Sequence, residues 1–287
     1  MIRNVISSLF EYTPIRIYEV KLEVASPLHI GTGARGESLQ PLFKVYVPRL
    51  GRMTPVIPSN TIKGVFRATS EVLSKASVDS LARNDVEKIC IMNHREDEHE
   101  VKNPIDLFNR LGIDESMLIE LGVPSDKAKA ILNSIRERRK DATAKAKLAL
   151  SYVLPLLCPI CRLYGSRNIA SRVSFTSAIP LEPVNTIFRT IIGIDRKTMT
   201  ARKGALVTYE LIPPGTQFSF KIVLKGIKDN SPEYNLFKAT LDYIKNFGLQ
   251  IGALKSRGYG LVNVTGVTEK ELLFTNVLED LKKLHES

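Results

Sequence analysis

The sequence contains no tryptophan, only three cysteines and four histidines in 287 residues, and an aromatic share of 7%. Each shortage excludes something. Three cysteines cannot build a disulfide framework, and their scarcity points to a reducing cytoplasm, where metal or redox chemistry is the question to ask. Without tryptophan, stacking on nucleobases falls to tyrosine, phenylalanine or arginine. No window supplies the roughly 18 consecutive apolar residues of a membrane-spanning helix. The opening MIRNVISSLFEYTPIRIYEV has a short apolar patch but neither the long apolar core nor the small-residue cleavage site of a secretion signal, so none is expected. Acidic residues are also scarce, at 30 against 41 lysines and arginines, a formal net charge of +11. With a pI near 9.5, the chain has the electrostatic footprint of a polyanion binder. A hydrophobic content of 44% suffices for a globular core.

The stretch GTGARG, with Gly31, Gly33 and Gly36, fits the glycine pattern of a dinucleotide-binding loop. That pattern needs a strand before it and a helix after it, so that the pyrophosphate rests on the helix N-terminus. The strand is present: in YEVKLEV, Tyr18, Val20, Leu22 and Val24 alternate with Glu19, Lys21 and Glu23. The helix is not. Pro41 and Pro48 interrupt the segment after Gly36, which shows no 3.6-residue apolar period. The loop therefore joins two extended segments.

Further along, Pro58 and Ser59 or Asn60 mark a helix start, with Ile62, Val65, Phe66, Val72 and Leu73 expected on its inner face. Lys63 and Arg67, four residues apart, share another face near the helix N-terminus, a placement that suits phosphate binding. Residues 76–150 are helical by composition, without strand alternation, and carry the charge clusters HREDEHE and RERRKDATAKAK. Strands return from residue 171. IFRTIIGIDRKTMTARKGALVTYELIPPG reads as a long hairpin whose tip carries Arg196, Lys197, Arg202 and Lys203. Phe218, Phe220, Ile222 and Leu224 then alternate with mostly polar neighbours. A helix over 232–248 points Leu236, Phe237, Leu241, Ile244 and Phe247 inward, and IGALKSRGYGLVNV carries a second glycine-rich loop into a final strand. This order predicts an α+β sandwich with helices on one face of an antiparallel sheet.

Three segments carry a family resemblance. GALKSRGYG (252–260) resembles the C-terminal glycine-rich loop of the RAMP superfamily, the repeat-associated RNA-binding proteins of CRISPR systems. IPSNTIKGVFR (57–67) resembles the segment placed at the first helix of those proteins. GIDRKTMTARKGALVTYELIPPGTQF (193–218) is similar to the thumb hairpin and following strand of the backbone subunits of type III effector complexes. The resemblance implies a single ferredoxin-like, RRM-type domain over 1–287, with a helical insertion at 76–157 and a thumb at 185–212. It implies guide and target RNA and other RAMP subunits as partners, with self-association along the RNA.

In that setting GTGARG faces RNA, where a glycine-rich backbone lets amides approach phosphates. RNA-facing positions are then Gly31, Gly33, Arg35, Ser59, Asn60, Lys63, Arg67, Lys255, Ser256, Arg257 and Gly258, with Arg196, Lys197 and the apolar wedge Met199 on the thumb.

Two further sites follow. In relatives of this type, an aspartate after the first strand assists cleavage of target RNA. Here Glu37 is the only carboxylate between Gly31 and Pro41, and its extra methylene alters the reach of a proton acceptor. Separately, Cys158 and Cys161 have the spacing of half a zinc site, and Cys90, His94 and His99 offer the other half. A four-ligand site, Cys2His2 or Cys3His, would be structural. The sequence thus reads as a guide-RNA-binding backbone subunit of a type III CRISPR complex. The rival reading is a stand-alone RAMP endoribonuclease that processes CRISPR transcripts, for which His29 is the one histidine near a glycine loop.

Overall fold

The computed structural model describes residues 15–33, 38–77 and 101–272, together with 79, 88, 91, 94–95 and 98–99. The alternation in IRIYEVKLEV gives strand β1 (Ile15–Val24), with Tyr18, Val20, Leu22 and Val24 buried and Lys21 exposed. Extended chain follows as β2 (Leu39–Gln40) and as a small hairpin, β3 (Lys44–Val47) and β4 (Arg52–Pro55).

Helix α1 (Ser59–Ala76) begins directly after Pro58. Its fully buried positions are Ile62, Phe66, Ser70 and Ser74, a stripe of period four that stays on one helical face. Val72, expected inward, is instead 69% exposed. Ser70 takes an inward position because its hydroxyl meets that of Tyr164 at 2.7 Å, so a polar residue is satisfied inside.

The acidic stretch forms a two-rung hairpin, β5 (His94–Arg95) and β6 (Glu98–His99), with His94 opposite His99. Only two residues on each side pair, too few to show as alternation in the sequence. Helices α2 (Pro104–Arg110), α3 (Glu115–Glu120), α4 (Ser125–Arg136), α5 (Ala142–Leu157) and α6 (Pro159–Tyr164) come next. Asp114 caps α3 by accepting from the Met117 N–H at 2.7 Å.

The remaining elements are β7 (Val173–Phe175), β8 (Ile179–Pro180), β9 (Ile187–Ile194), β10 (Ala201–Leu211), β11 (Gln217–Leu224), α7 (Pro232–Phe247), β12 (Leu249–Gln250) and β13 (Leu261–Leu272). On α7, Leu236, Phe237, Leu241 and Ile244 are buried as expected. Phe247 is 67% exposed, because the helix ends there and the chain turns at Gly248, φ 75°.

The chain divides into two compact units. The sheet unit comprises Ile15–Ala68, Ser174–Leu224 and the chain from Thr240 onward. Its main sheet has the order β12-β13-β1-β11-β7, with β8 also on β11, and β1 runs antiparallel to both neighbours. The register sets Val20 opposite Phe220 and Leu22 opposite Phe218, so the apolar sets of β1 and β11 share one face. Phe66 of α1 lies over that face, its ring 5.0 Å from Phe175 and 6.4 Å from Phe220. A second sheet has the order β2-β10-β9. The protein is thus a mixed α+β chain built on an antiparallel sheet.

The helical unit comprises Thr69–Val173 and Lys225–Ala239. Helix α5 is its apolar centre, burying Ala146, Leu150, Val153, Leu154 and Leu157 against α2 and α4. Arg162 and Glu233 form a buried ion pair at 2.9 Å, with Arg172 at 3.7 Å on the other carboxylate oxygen. Removing one partner would strand a buried charge, a loss of roughly 3–5 kcal/mol. Among the described residues, no helix is long and apolar enough to cross a membrane.

Candidate nucleic-acid interface

The sheet unit brings the two glycine-rich loops together. Beyond β1, Leu28 bridges Ile212 in both directions, at 3.0 and 2.8 Å, and His29 and Ile30 lead to Gly31, which bridges Leu42. The loop 252–260 is pinned onto this segment. Ala253 N–H donates to the His29 carbonyl at 3.0 Å, and Gly260 N–H donates to the Pro27 carbonyl at the same distance. A Cβ on Gly252, φ 82°, would stand 2.2 Å from the His29 carbonyl oxygen, and one on Gly260 would stand 2.0 Å from that of Ile251. Only glycine permits backbones this close.

The pinned base presents an open tip. Lys255–Arg257 form one 3-10 turn between two left-handed residues, Leu254 (φ 62°) and Gly258 (φ 80°). Lys255, Ser256, Arg257 and Gly258 are all exposed, and a Cβ on Gly258 would meet open space. The glycines of the motif thus have two roles, those at 252 and 260 for close approach and the one at 258 for an exposed turn.

Under the first loop lies a buried polar cluster that sequence reasoning did not find. Glu210 of β10 accepts from Lys44 Nζ at 2.5 Å, Thr186 Oγ1 at 2.7 Å and the Leu42 N–H at 3.1 Å. Burial pushes its carboxyl upward, but these donors outweigh that and hold it below the usual carboxylate range. His29 is buried, and its Nδ1 donates to the Glu210 carbonyl at 2.8 Å, since a carbonyl oxygen can only accept. The sequence signal was available: a single glutamate inside the strand pattern LVTYELI.

At the start of α1, Ser59 N–H donates to Ser177 Oγ at 3.2 Å, and the Asn60 carboxamide oxygen accepts from the Thr61 N–H at 2.8 Å. Ser59, Lys63 and Arg67 are half-buried and Asn60 is exposed. At the β9–β10 turn, the Asp195 carboxylate accepts from the Lys197 and Thr198 N–H groups, which lowers its pKa. Met199 there has φ 55° and is 77% exposed, beside exposed Arg196 and Lys197. Phe188, Ile192, Ile194 and Leu206 on the two strands are also exposed, an apolar stripe on the hairpin.

Gly31 and Gly33 are described; Arg35 and Glu37 lie outside the described residues. So does Cys90, and His94 and His99 are described as backbone alone. Cys158 is the N-cap of α6 and Cys161 lies one turn later, both fully buried. Among the described residues, no group of three or more His, Cys, Asp or Glu comes together as a metal site.

Comparison with known proteins gives the family. No curated protein sequence matches the chain. A solved chain described as a Type IV-B CRISPR Complex aligns with TM-score 0.47 and 13% identity, over 88% of this chain and 90% of that one. The sequence profile of the RAMP superfamily matches residues 21–263, and the chain belongs to that superfamily.

Proposed function

We propose that this protein is a guide-RNA-binding backbone subunit of a type III CRISPR interference complex, acting in the cytoplasm with other RAMP subunits. The observation that carries the reading is the pair of glycine-rich loops pinned together, with Lys255 and Arg257 on an exposed tip above the end of β1. Backbone amides and two cations on a rigid base suit a polyphosphate chain, which such groups position without reading its sequence. Three further observations support the assignment. The strand order β13-β1-β11-β7, with α1 after β1 and α7 before β13, suits a ferredoxin-like domain with a helical insertion over 76–157. The exposed apolar stripe and Met199 on the hairpin suit a thumb over 185–212 that touches a neighbouring copy along the RNA. The net charge of +11 suits a polyanionic partner.

In this reading Glu37 is the candidate proton acceptor for target-RNA cleavage. The fit of zinc rests on the thiol pair: Cys158 and Cys161 lie one helical turn apart, both buried, as two ligands of a structural tetrahedral site require. Strand β6, which includes His99, touches α5 (Ala142–Leu157).

The test is the quadruple variant Lys63→Ala, Arg67→Ala, Lys255→Ala, Arg257→Ala. Binding of all RNA sequences should weaken alike, and the salt slope should fall by about 0.7 for each phosphate of a single strand that is no longer neutralised. An unchanged slope would remove the groove assignment.

A further inference from the structure

The helical unit contains a cavity of about 730 Å³ between α2, α4 and α5. Its size falls within the range of about 300–1,000 Å³ typical of small-molecule sites. The walls divide by chemistry. Ile105, Phe108, Ile113 and Ile135 supply an apolar floor, while Arg136, Arg138 and Arg139 line the cavity from the turn between α4 and α5. That turn carries four cations against two carboxylates between residues 136 and 141.

Both carboxylates are already engaged. Glu137 accepts from Arg139 Nε at 2.7 Å, and Asp141 accepts from the Ser134 hydroxyl at 2.5 Å. Arg139 and Glu137 are both exposed, and an exposed ion pair of this kind contributes little, so Arg139 can exchange its partner. Neither Arg136 nor Arg138 has an ion-pair partner among the described residues. Arg138 also holds φ 49°, an uncommon conformation for a residue with a Cβ. Arg136, Arg138 and Arg139 concentrate positive charge along one side of the cavity, a setting that an anion stabilises.

We propose that this cavity is a second RNA-binding site, which takes one nucleoside phosphate unit with its base on the apolar floor and its phosphate on Arg136, Arg138 and Arg139. Guanidinium forks match phosphate oxygens bidentately and their planes stack on any base, while the isoleucines pack against its apolar face. The site rests on the RNA-binding role proposed above but uses none of the groove residues. It gives the helical unit a hold on a single-stranded segment outside the groove.

The test uses the full-length protein and three measurements. Fluorescence anisotropy with a labelled ten-nucleotide oligouridylate compares the wild type with Arg136→Ala/Arg138→Ala/Arg139→Ala. A control, Lys127→Ala/Lys129→Ala/Lys147→Ala, removes the same charge from exposed positions that do not line the cavity. Neutralising one phosphate of a single strand corresponds to a salt slope of about 0.7, or roughly a 3-fold loss of affinity between about 50 and 200 mM salt. The arginine variant should lose this component and the control should keep it. Crosslinking of 4-thiouridine-substituted oligonucleotide should mark peptides within 105–143. Titration with uridine monophosphate separates a free nucleotide from a strand: saturable binding lost in the arginine variant is expected, and weaker than that of the oligonucleotide.

Equal affinity of the arginine variant and the control would overturn the proposal. So would crosslinks confined to 27–67 and 252–260, a result that leaves the groove reading intact. Arginine-dependent binding of polyglutamate without any of RNA would overturn it as well, in favour of an acidic protein partner. Loss of RNA binding in the groove variant alone would contradict this site and support the groove, whereas retention there with loss in the arginine variant would do the reverse.

Discussion

Replacing Gly252 by alanine tests how the two glycine loops are held together. The residue sits at φ 82°, and the added Cβ would stand 2.2 Å from the His29 carbonyl oxygen. Left-handed backbone costs a residue with a Cβ about 1–2 kcal/mol. The clash cannot be relieved by a side-chain rotation, because the opposing atom is backbone, so the loop must withdraw from the end of β1. Withdrawal breaks the bond from Ala253 to His29, worth about 1 kcal/mol, and strains the one from Gly260 to Pro27. The sum is about 2–4 kcal/mol, which for a chain of this size is a fall in melting temperature of roughly 3–7 °C. Gly258→Ala provides the contrast. Its φ is 80°, but its Cβ would meet nothing within 4 Å, so only the backbone cost of about 1–2 kcal/mol applies. Thermal melting followed by circular dichroism should rank wild type above Gly258→Ala, and Gly258→Ala above Gly252→Ala. RNA affinity should fall further in Gly252→Ala, because the tip that carries Lys255 and Arg257 moves with the loop. Equal melting temperatures for the two variants would refute the argument that close backbone approach, rather than turn geometry alone, fixes this loop.

Two other outcomes follow from single sites. Glu210 has a folded-state pKa held below its ordinary value, so its contribution is present above the unfolded pKa and is lost as pH falls through the folded one. Glu210→Gln should therefore flatten the acid limb of a stability–pH curve below the ordinary glutamate range, and an acid limb identical to wild type would show that the cluster with Lys44 and Thr186 does not hold this segment. If Cys158 and Cys161 hold zinc, protein purified without chelator under reducing conditions should carry close to one zinc per chain, and Cys158→Ser with Cys161→Ser should lose it. Metal-free protein under those conditions would assign the two thiols to the core alone.

Where one face of an element is buried and the other wet, its residues announced it. Strands β1 and β11 alternate in sequence and in burial alike, and Pro58 with Ser59 marked the start of α1. Where burial depended on a partner distant in the chain, the pattern misled. Ser70 is inside because Tyr164 satisfies its hydroxyl, and Val72 is outside because that stripe was already filled. Phe247 looked like a core residue from helical spacing, yet it lies at the last turn, past the buried stripe. At the interface, GTGARG and GALKSRGYG were visible as loops, but not that the second is pinned to the first through His29 and Pro27. Such bonds join residues more than 200 positions apart, and no local periodicity encodes them. The Glu210 cluster was missed for the same reason, since Lys44, Thr186 and Leu42 are its neighbours only in the fold.

Assembly of this chain on guide RNA, as proposed, is tested most directly by isolating the tagged protein from its own cells. The expected product is a large particle that contains other RAMP subunits and short RNAs bearing CRISPR repeat and spacer sequence. Removal of residues 196–203 should break up that particle and leave a folded monomer. Recovery of the intact protein as a monomer free of RNA, at low salt and with nuclease excluded, would contradict it.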